Sequence, residues 1–296
     1  MAEVSRRIAV IGLGNMGLPM AANLATAGHA VSGFDLSADS LRRAAERGVT
    51  AAKSVADAVA KAEIIVTMLP AGRHVLDVYP SIMAAAPAGA LLIDSSTIDV
   101  ESARAAHKVA ATAKFASLDA PVSGGVGGAE AATLTFMVGG ETAAFERGKP
   151  VLAAIGKRIV HCGAAGSGQA AKICNNMILG ISMIGAAEAF VLAEKLGLSH
   201  QALFDVASTS SGQCWSITSY CPVPGPVPAS PANRDYQPGF AASLMVKDLM
   251  LAQEAARQTG AATPMGAEAA QLYQLFCNAG NAGVDFSGII NMLRGK

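Results

Sequence analysis

The sequence predicts an α/β chain in two parts: a doubly wound N-terminal domain over residues 1–163 and an all-α C-terminal domain over 164–296, entered through one long helix at about 167–195. Three observations carry this. Short apolar strand patterns alternate with helical ones through the first half. Strand signals fade beyond residue 163, and the stretch GSGQAAKICNNMILGISMIGAAEAFVLAE then runs on as an apolar helix. At 296 residues the chain is also long for a single core.

The first element, residues 6–11 (RRIAVI), reads as a short buried strand, followed directly by GLGNMG at 12–17 and a helix over 15–27. Met16, Met20, Leu24 and Ala27 line one side of that helix. A second strand spans 30–34 and ends at Asp35. A glycine turn between strand and helix, with an acid after the next strand, is the dinucleotide-binding fingerprint of a Rossmann-type domain. Gly12 permits the tight turn, Gly14 lets the backbone approach a pyrophosphate, and Gly17 lets helix and strand pack closely. With Leu13, Asn15 and Met16 between them, the turn predicts cofactor contacts throughout; a glycine-rich turn without a ligand is the alternative. A carboxylate at Asp35 accepts from ribose hydroxyls and repels a 2′-phosphate, and no arginine follows before Arg42, so NAD is expected over NADP. Asp35 as the cap of a helix starting near Ser37 is the competing role.

Next come a helix at about 38–47, a short strand near 50, and the continuous apolar run 62–69 (AEIIVTML), typical of a parallel strand buried on both faces. Pro70 ends it. A strand at 91–95 follows a Pro-Ala-Gly turn, and Thr97 with Asp99 opens the next helix. Residues 115–120, 134–138 and 158–162 add strands. The second part holds helical patterns at 167–195, 199–209, 240–259 and 264–279, joined by an irregular, proline-rich segment at 221–238.

The long helix carries Lys172 near its start, and between Arg158 and Glu194 the only other charged residue, apart from His161, is Glu188. An ammonium in so apolar a stretch loses hydration, which lowers its pKa toward the range of an acid/base. Asn176 lies one turn further on the same face, so the pair can hold a carbonyl or hydroxyl oxygen. The alternative is a lysine whose stem covers apolar surface while its head reaches water.

Composition excludes several classes. Formal charge is zero, with 22 basic and 22 acidic residues, which argues against nucleic acid and anionic membrane as partners. Charged residues are only 15 % and mean hydropathy is +0.39, so a large helical interface and a homo-oligomer, dimer or tetramer, are expected. No segment reads as membrane-spanning, the longest uncharged apolar core being Met177 to Ala187, and no signal peptide precedes the first strand. Five cysteines without CxxC spacing read as free thiols in a reducing, cytoplasmic setting, with no metal site.

Taken together the motifs resemble those of the β-hydroxyacid dehydrogenase family over essentially the whole length: GLGNMGLPMAANL at 12–24, DSSTID at 94–99, DAPVSGGVGGA at 119–129, GSGQAAKICNNM at 166–177, SSGQCWS at 210–216 and GFAASLMVKDLMLA at 239–252. The resemblance implies the two-domain fold, NAD, and reversible oxidation of a 3-hydroxy acid to its semialdehyde. It implies Lys172 as the catalytic lysine with Asn176 as its partner, Ser123, Gly124 and Gly125 as the holder of the substrate carboxylate, Leu69, Pro70 and Thr97 over the cofactor, and Lys247 on the nicotinamide side. From the residues alone, Ser123-Gly124-Gly125 is either an anion-binding concavity or an ordinary turn, and Lys247 beside Asp248 also suits a solvated helix pair. Trp215 and Phe240 are expected to wall a substrate methyl, with plain core packing as the alternative. Reduction of tartronate semialdehyde or oxidation of 3-hydroxypropionate are neighbouring activities; a non-catalytic dinucleotide-binding scaffold would have no reason to keep Lys172 and Asn176 at helical spacing.

Overall fold

A computed structural model describes residues 5–295, and the chain divides into two compact units, one ending at Lys172 and the other beginning at Ile173. The first holds β1 (Arg7–Ile11), α1 (Gly17–Thr26), β2 (Ala30–Phe34), α2 (Ala38–Ala45), β3 (Thr50–Ala51), α3 (Val55–Val59), β4 (Ile64–Thr67), α4 (Gly72–Ala85), β5 (Leu91–Asp94), α5 (Val100–Thr112), β6 (Ala116–Asp119), β7 (Val122–Ser123), α6 (Gly125–Glu130), β8 (Leu134–Gly139), α7 (Thr142–Ala153) and β9 (Gly156–Gly163). Strand order is β3-β2-β1-β4-β5-β6-β8-β7, with β9 on β8. From β3 to β6 the neighbours are parallel; β8 runs antiparallel to β6 and β7, and β9 is parallel to β8.

Both faces of this sheet are covered. Ile8, Val10, Ile64, Val66, Leu91 and Ile93 enter the core on one face, while Ala9, Ile11, Ile65 and Leu92 enter the core on the other. Successive strand side chains alternate between faces, so a strand covered on both sides is apolar at successive positions, as Ile64, Ile65 and Val66 are.

The expected strands are present: β1, β4, β5 and β6 have shorter ends than expected, whereas β8 and β9 reach beyond 134–138 and 158–162. The expected helix at 15–27 starts only at Gly17, because Asn15 and Met16 complete the glycine turn. Helices α4 and α7 carry Pro80 and Pro150 inside them, which removes an amide donor from each and hides the helical pattern.

The second unit is helical. Helix α8 (Ser167–Lys195) begins in the first unit and continues through the second, followed by α9 (His200–Ala207), α10 (Trp215–Thr218), α11 (Ala242–Thr259), α12 (Pro264–Phe276) and α13 (Ile289–Leu293). Its core gathers Met183, Phe190, Met245, Leu249, Tyr273 and Phe286. The pattern expected to 279 stops being α-helical after Phe276, where a wider turn, Cys277–Asn281, ends on Gly280 at φ 92°. The proline-rich segment is irregular apart from a 3-10 turn, Pro231–Arg234, and buries Cys221 and Val223. Glu194, near the end of α8, pairs with Arg294 and His200, and this holds its carboxyl down at about 2. By length and composition α8 is long and apolar enough to cross a membrane; 44 % of its most apolar stretch is buried inside the protein.

Candidate active site

Three loops leave the carboxyl ends of β1, β4 and β5, the edge of a doubly wound sheet where ligands bind. In the first, Gly12 takes φ 95° and its N–H donates to the Phe34 carbonyl at 2.9 Å. A Cβ at Gly12 would strike the Met68 carbonyl, and one at Gly17 would strike the Gly12 carbonyl. Gly14 is different: a Cβ there meets nothing, and the residue is exposed. Packing therefore explains Gly12 and Gly17, while the bare backbone at Gly14 is left for something outside the chain. The start of α1 has no side-chain cap and no acid in its first turn, whereas Ser37, Ser54 and Asp99 cap α2, α3 and α5. An uncapped, acid-free helix start beside open backbone fits the pyrophosphate of a dinucleotide.

Asp35 is half-buried and tied to this turn: Oδ2 accepts the Leu13 N–H at 2.7 Å and Oδ1 the Ser37 N–H at 2.8 Å. The capping role once open to Asp35 belongs to Ser37, whose side chain accepts from the Ser40 N–H. Asp35 instead braces the glycine turn from the end of β2, in the place of a ribose-binding acid.

Leu69 and Pro70 follow β4, and Thr97 follows β5. A residue not foreseen from sequence joins these loops. Asp94, at the end of β5, accepts from Thr67 Oγ1 at 2.7 Å and from Ser96 Oγ at 2.6 Å, and Ser96 Oγ accepts the Leu69 N–H at 2.8 Å. Burial pushes the Asp94 carboxyl up to about 6 against the opposing pull of the Ser96 and Thr67 hydrogen bonds, and its Oδ2 has no hydrogen-bond partner.

Asp119, also unforeseen, ends β6 and satisfies the start of α8. Its Oδ1 accepts the Gly166 N–H at 2.8 Å and its Oδ2 the Gln169 N–H at 2.9 Å, and His107 stands 2.9 Å from Oδ1. Lys172 lies in the next turn and is only 6 % exposed, so the alternative of a head reaching water is overturned, although Cys174 and Asn175 on the same helix are exposed. Asn176 is buried as well, and its Nδ2 donates to Asp248 Oδ2 at 2.5 Å. Asp248 is itself buried on α11, which removes the solvated pair suggested by Lys247 and Asp248; Lys247 is half-buried. The signal for Asp248 was its helical phase on α11, set there by Met245 and Leu249.

Ser123 ends β7, and Gly124 and Gly125, at φ 133° and 61°, turn the chain into α6. The segment is thus a strand-to-helix junction rather than an ordinary surface turn.

In the second unit Trp215 is half exposed, which sets aside plain core packing, and its ring stacks on Tyr220 at 4.7 Å. Tyr220 stacks on Phe286, and Phe240 meets Phe286 edge-on at 5.8 Å, so the two predicted wall residues belong to one aromatic row. Asp285 organises that row, accepting from Tyr220 Oη at 2.9 Å and from the N–H groups of Gly239 and Phe240 at 2.9 and 3.0 Å. Burial and the neighbouring Asp285 push the Tyr220 hydroxyl well above its ordinary value, which keeps it a donor.

Comparison with known proteins agrees with this geometry. Residues 7–163 match the family model for the NAD binding domain of 6-phosphogluconate dehydrogenase, and 166–293 match that for the NAD-binding region of NADP-dependent 3-hydroxyisobutyrate dehydrogenase. A probable 3-hydroxyisobutyrate dehydrogenase of Mycobacterium tuberculosis is 54 % identical over 289 residues, covering 98 % of each chain. An NAD-dependent L-serine dehydrogenase of Pseudomonas aeruginosa is 46 % identical, over 95 % of this chain and 96 % of its own. The solved structure of Mycobacterium tuberculosis 3-hydroxyisobutyrate dehydrogenase with L-serine superposes with a TM-score of 0.96 at 53 % identity, covering 98 % of this chain and 100 % of that one.

Proposed function

The chain belongs to the 3-hydroxyisobutyrate dehydrogenase family and is an NAD-dependent oxidoreductase, and we propose that it oxidises 3-hydroxyisobutyrate reversibly to methylmalonate semialdehyde, a step of valine breakdown, with Lys172 as the acid/base. The observation that carries this is the buried lysine in a helix turn held by the carboxyl end of β6. NAD, when bound, supplies the hydride acceptor; the 12–17 turn, Asp35, Leu69, Pro70, Thr97 and Lys247 hold it. The chain's own part is proton transfer and positioning. Lys172 in its neutral form takes the proton of the 3-hydroxyl during oxidation, and as the lysinium returns it to the alkoxide during reduction. Asn176, fixed by Asp248, orients the lysine or the reacting oxygen. Ser123 and the amides of Gly124 and Gly125 take the carboxylate, which sets the distance for hydride transfer. Trp215 and Phe240 supply apolar surface for the substrate methyl.

A second substrate, L-serine, is favoured by the names of the relatives: it is also a 3-hydroxy acid, with an ammonium in place of the methyl. We further propose a cytoplasmic homo-oligomer, a second copy covering Ile178 and Leu192 on α8, Leu196 just past its end and Val206 on α9, all of them exposed. Turnover of 3-hydroxyisobutyrate, 3-hydroxypropionate and L-serine, followed by NADH absorbance, tests the substrate. Lys172→Ala tests the chemistry: kcat should fall about 10²–10⁴-fold with NAD affinity unchanged, and near-parental turnover by the folded variant would remove Lys172 from the reaction.

A further inference from the structure

We propose that Gln169 is a positioning residue for this reaction: its side-chain amide ties the cofactor-side loop after β5 to the first turn of α8 and so sets where the Lys172 amine stands. The proposal rests on Lys172 as the proton carrier.

Gln169 is fully buried. Its Nε2 donates to the Ser96 carbonyl at 2.7 Å and its Oε1 accepts the Ile98 N–H at 3.1 Å. Both amide ends are used, and exchanging them would face donor with donor and acceptor with acceptor, so the amide has one orientation. The two backbone groups it grips flank Thr97, a residue assigned to the cofactor. Its own N–H binds Asp119, so a single residue is held to the ends of both β5 and β6.

Helix formation does not explain the side chain. Asp119 already satisfies the Gly166 and Gln169 N–H groups at the helix start, and strand pairing of β5 is complete through Asp94 on both sides. What the amide adds is a fixed relation between the 96–98 loop and the helix. Lys172 comes three residues later, about 4.5 Å along the axis and nearly on the same face. With the amide gone, the loop and the lysine can shift against each other while each stays folded.

The test compares Gln169→Met, which keeps volume and loses both bonds, with Gln169→Glu, which keeps the acceptor for Ile98 but sets a carboxylate oxygen against the Ser96 carbonyl. Lys172→Met is measured beside them. The readouts are melting temperature, NAD dissociation constant, kcat, KM, and the isotope effect with substrate deuterated at the carbinol carbon. Expected for both Gln169 variants is a fall in kcat of about 10–100-fold, the scale of a displacement somewhat under 1 Å, with KM and NAD affinity nearly unchanged and a larger isotope effect. A folded Gln169→Met whose kcat stays within about twofold of the parent, with only its melting temperature lowered, overturns the proposal; the ~10²-fold scale of a 1 Å misplacement leaves no room for it. If that variant does not fold, Gln169→Glu decides on the same readouts, and failure of both to fold also overturns it by making the amide a folding requirement. Parental turnover by Lys172→Met would instead sink the lysine assignment itself, whereas an inactive Lys172→Met beside an unaffected Gln169→Met sinks Gln169 alone.

Discussion

Replacing Asp94 by asparagine should abolish a pH dependence of stability that this one carboxyl creates. Its folded-state value is about 6 against an ordinary 3.8, raised by burial. Below about pH 4 the group is protonated whether the chain is folded or not, and it contributes no slope. As pH rises from about 4 to about 6 the unfolded chain gives up the proton while the folded one retains it, so stability falls with rising pH and then levels off. A displacement of this size corresponds to about 3 kcal/mol lost across the window. Asparagine carries no proton to lose; it keeps an acceptor for Thr67 and Ser96 and puts an NH2 where Oδ2 has no partner. The parent minus variant difference in unfolding free energy, measured by urea denaturation at intervals from pH 4 to 7.5, should therefore shrink by about 3 kcal/mol as pH rises. Taking the difference cancels the carboxylates that both proteins share. A difference that is flat with pH, or one that grows, would refute the burial argument.

Asp35→Ser should weaken NAD binding and relieve the repulsion of a 2′-phosphate, moving the ratio of kcat/KM for NAD over NADP by at least about tenfold, a change of ~1.4 kcal/mol; an unchanged ratio would leave Asp35 only its bonds to Leu13 and Ser37. If Trp215 and Phe240 face the substrate methyl, 3-hydroxyisobutyrate should exceed 3-hydroxypropionate by about 10–200-fold in kcat/KM, and Trp215→Ala should narrow that margin more than it slows the smaller acid. Asp285→Asn should loosen the Tyr220 and Phe240 contacts and narrow the same margin while Lys172-dependent chemistry continues; equal loss on both substrates would speak for a general folding role.

Much of the fold was legible because it rests on local pattern. Residues 64–66 are apolar at successive positions because β4 is covered on both faces, and 12–17 reads as a cofactor turn because Gly12 and Gly17 meet backbone that only glycine tolerates. The long helix was found with its ends because no charged residue, glycine pair or proline breaks the apolar run between Lys172 and Glu188. Helices α4 and α7 were missed where Pro80 and Pro150 stand inside them, and the two-residue β7, just past Pro121, lay outside the strand expected at 115–120. The polar residues around the site were the least visible. Asp119 and Gln169 are 50 positions apart, and Asn176 and Asp248 are 72 apart, so neither pair leaves a trace in any window of sequence. Asp35 stands just past β2, tied to the glycine turn, while its capping alternative fell to Ser37 two residues on.

The cap on α8 has a consequence for how the chain becomes active. The carboxylate that satisfies its first amides comes from a strand 47 positions earlier, and Gly139 of β8 lies so close that a Cβ there would meet the Ser167 and Gly168 amides at 2.8 Å. Such a start has no local substitute, and long-range closure is the slow, entropically costly part of assembly. The first turn of α8 therefore locks only after β6 and β8 have paired, and the amine of Lys172 is among the last groups to acquire a defined place. If Lys172 carries the proton as proposed, a chain with its sheet half assembled has no working centre, turnover reports on completed folding of the first unit, and refolding followed by activity should lag behind refolding followed by helix content.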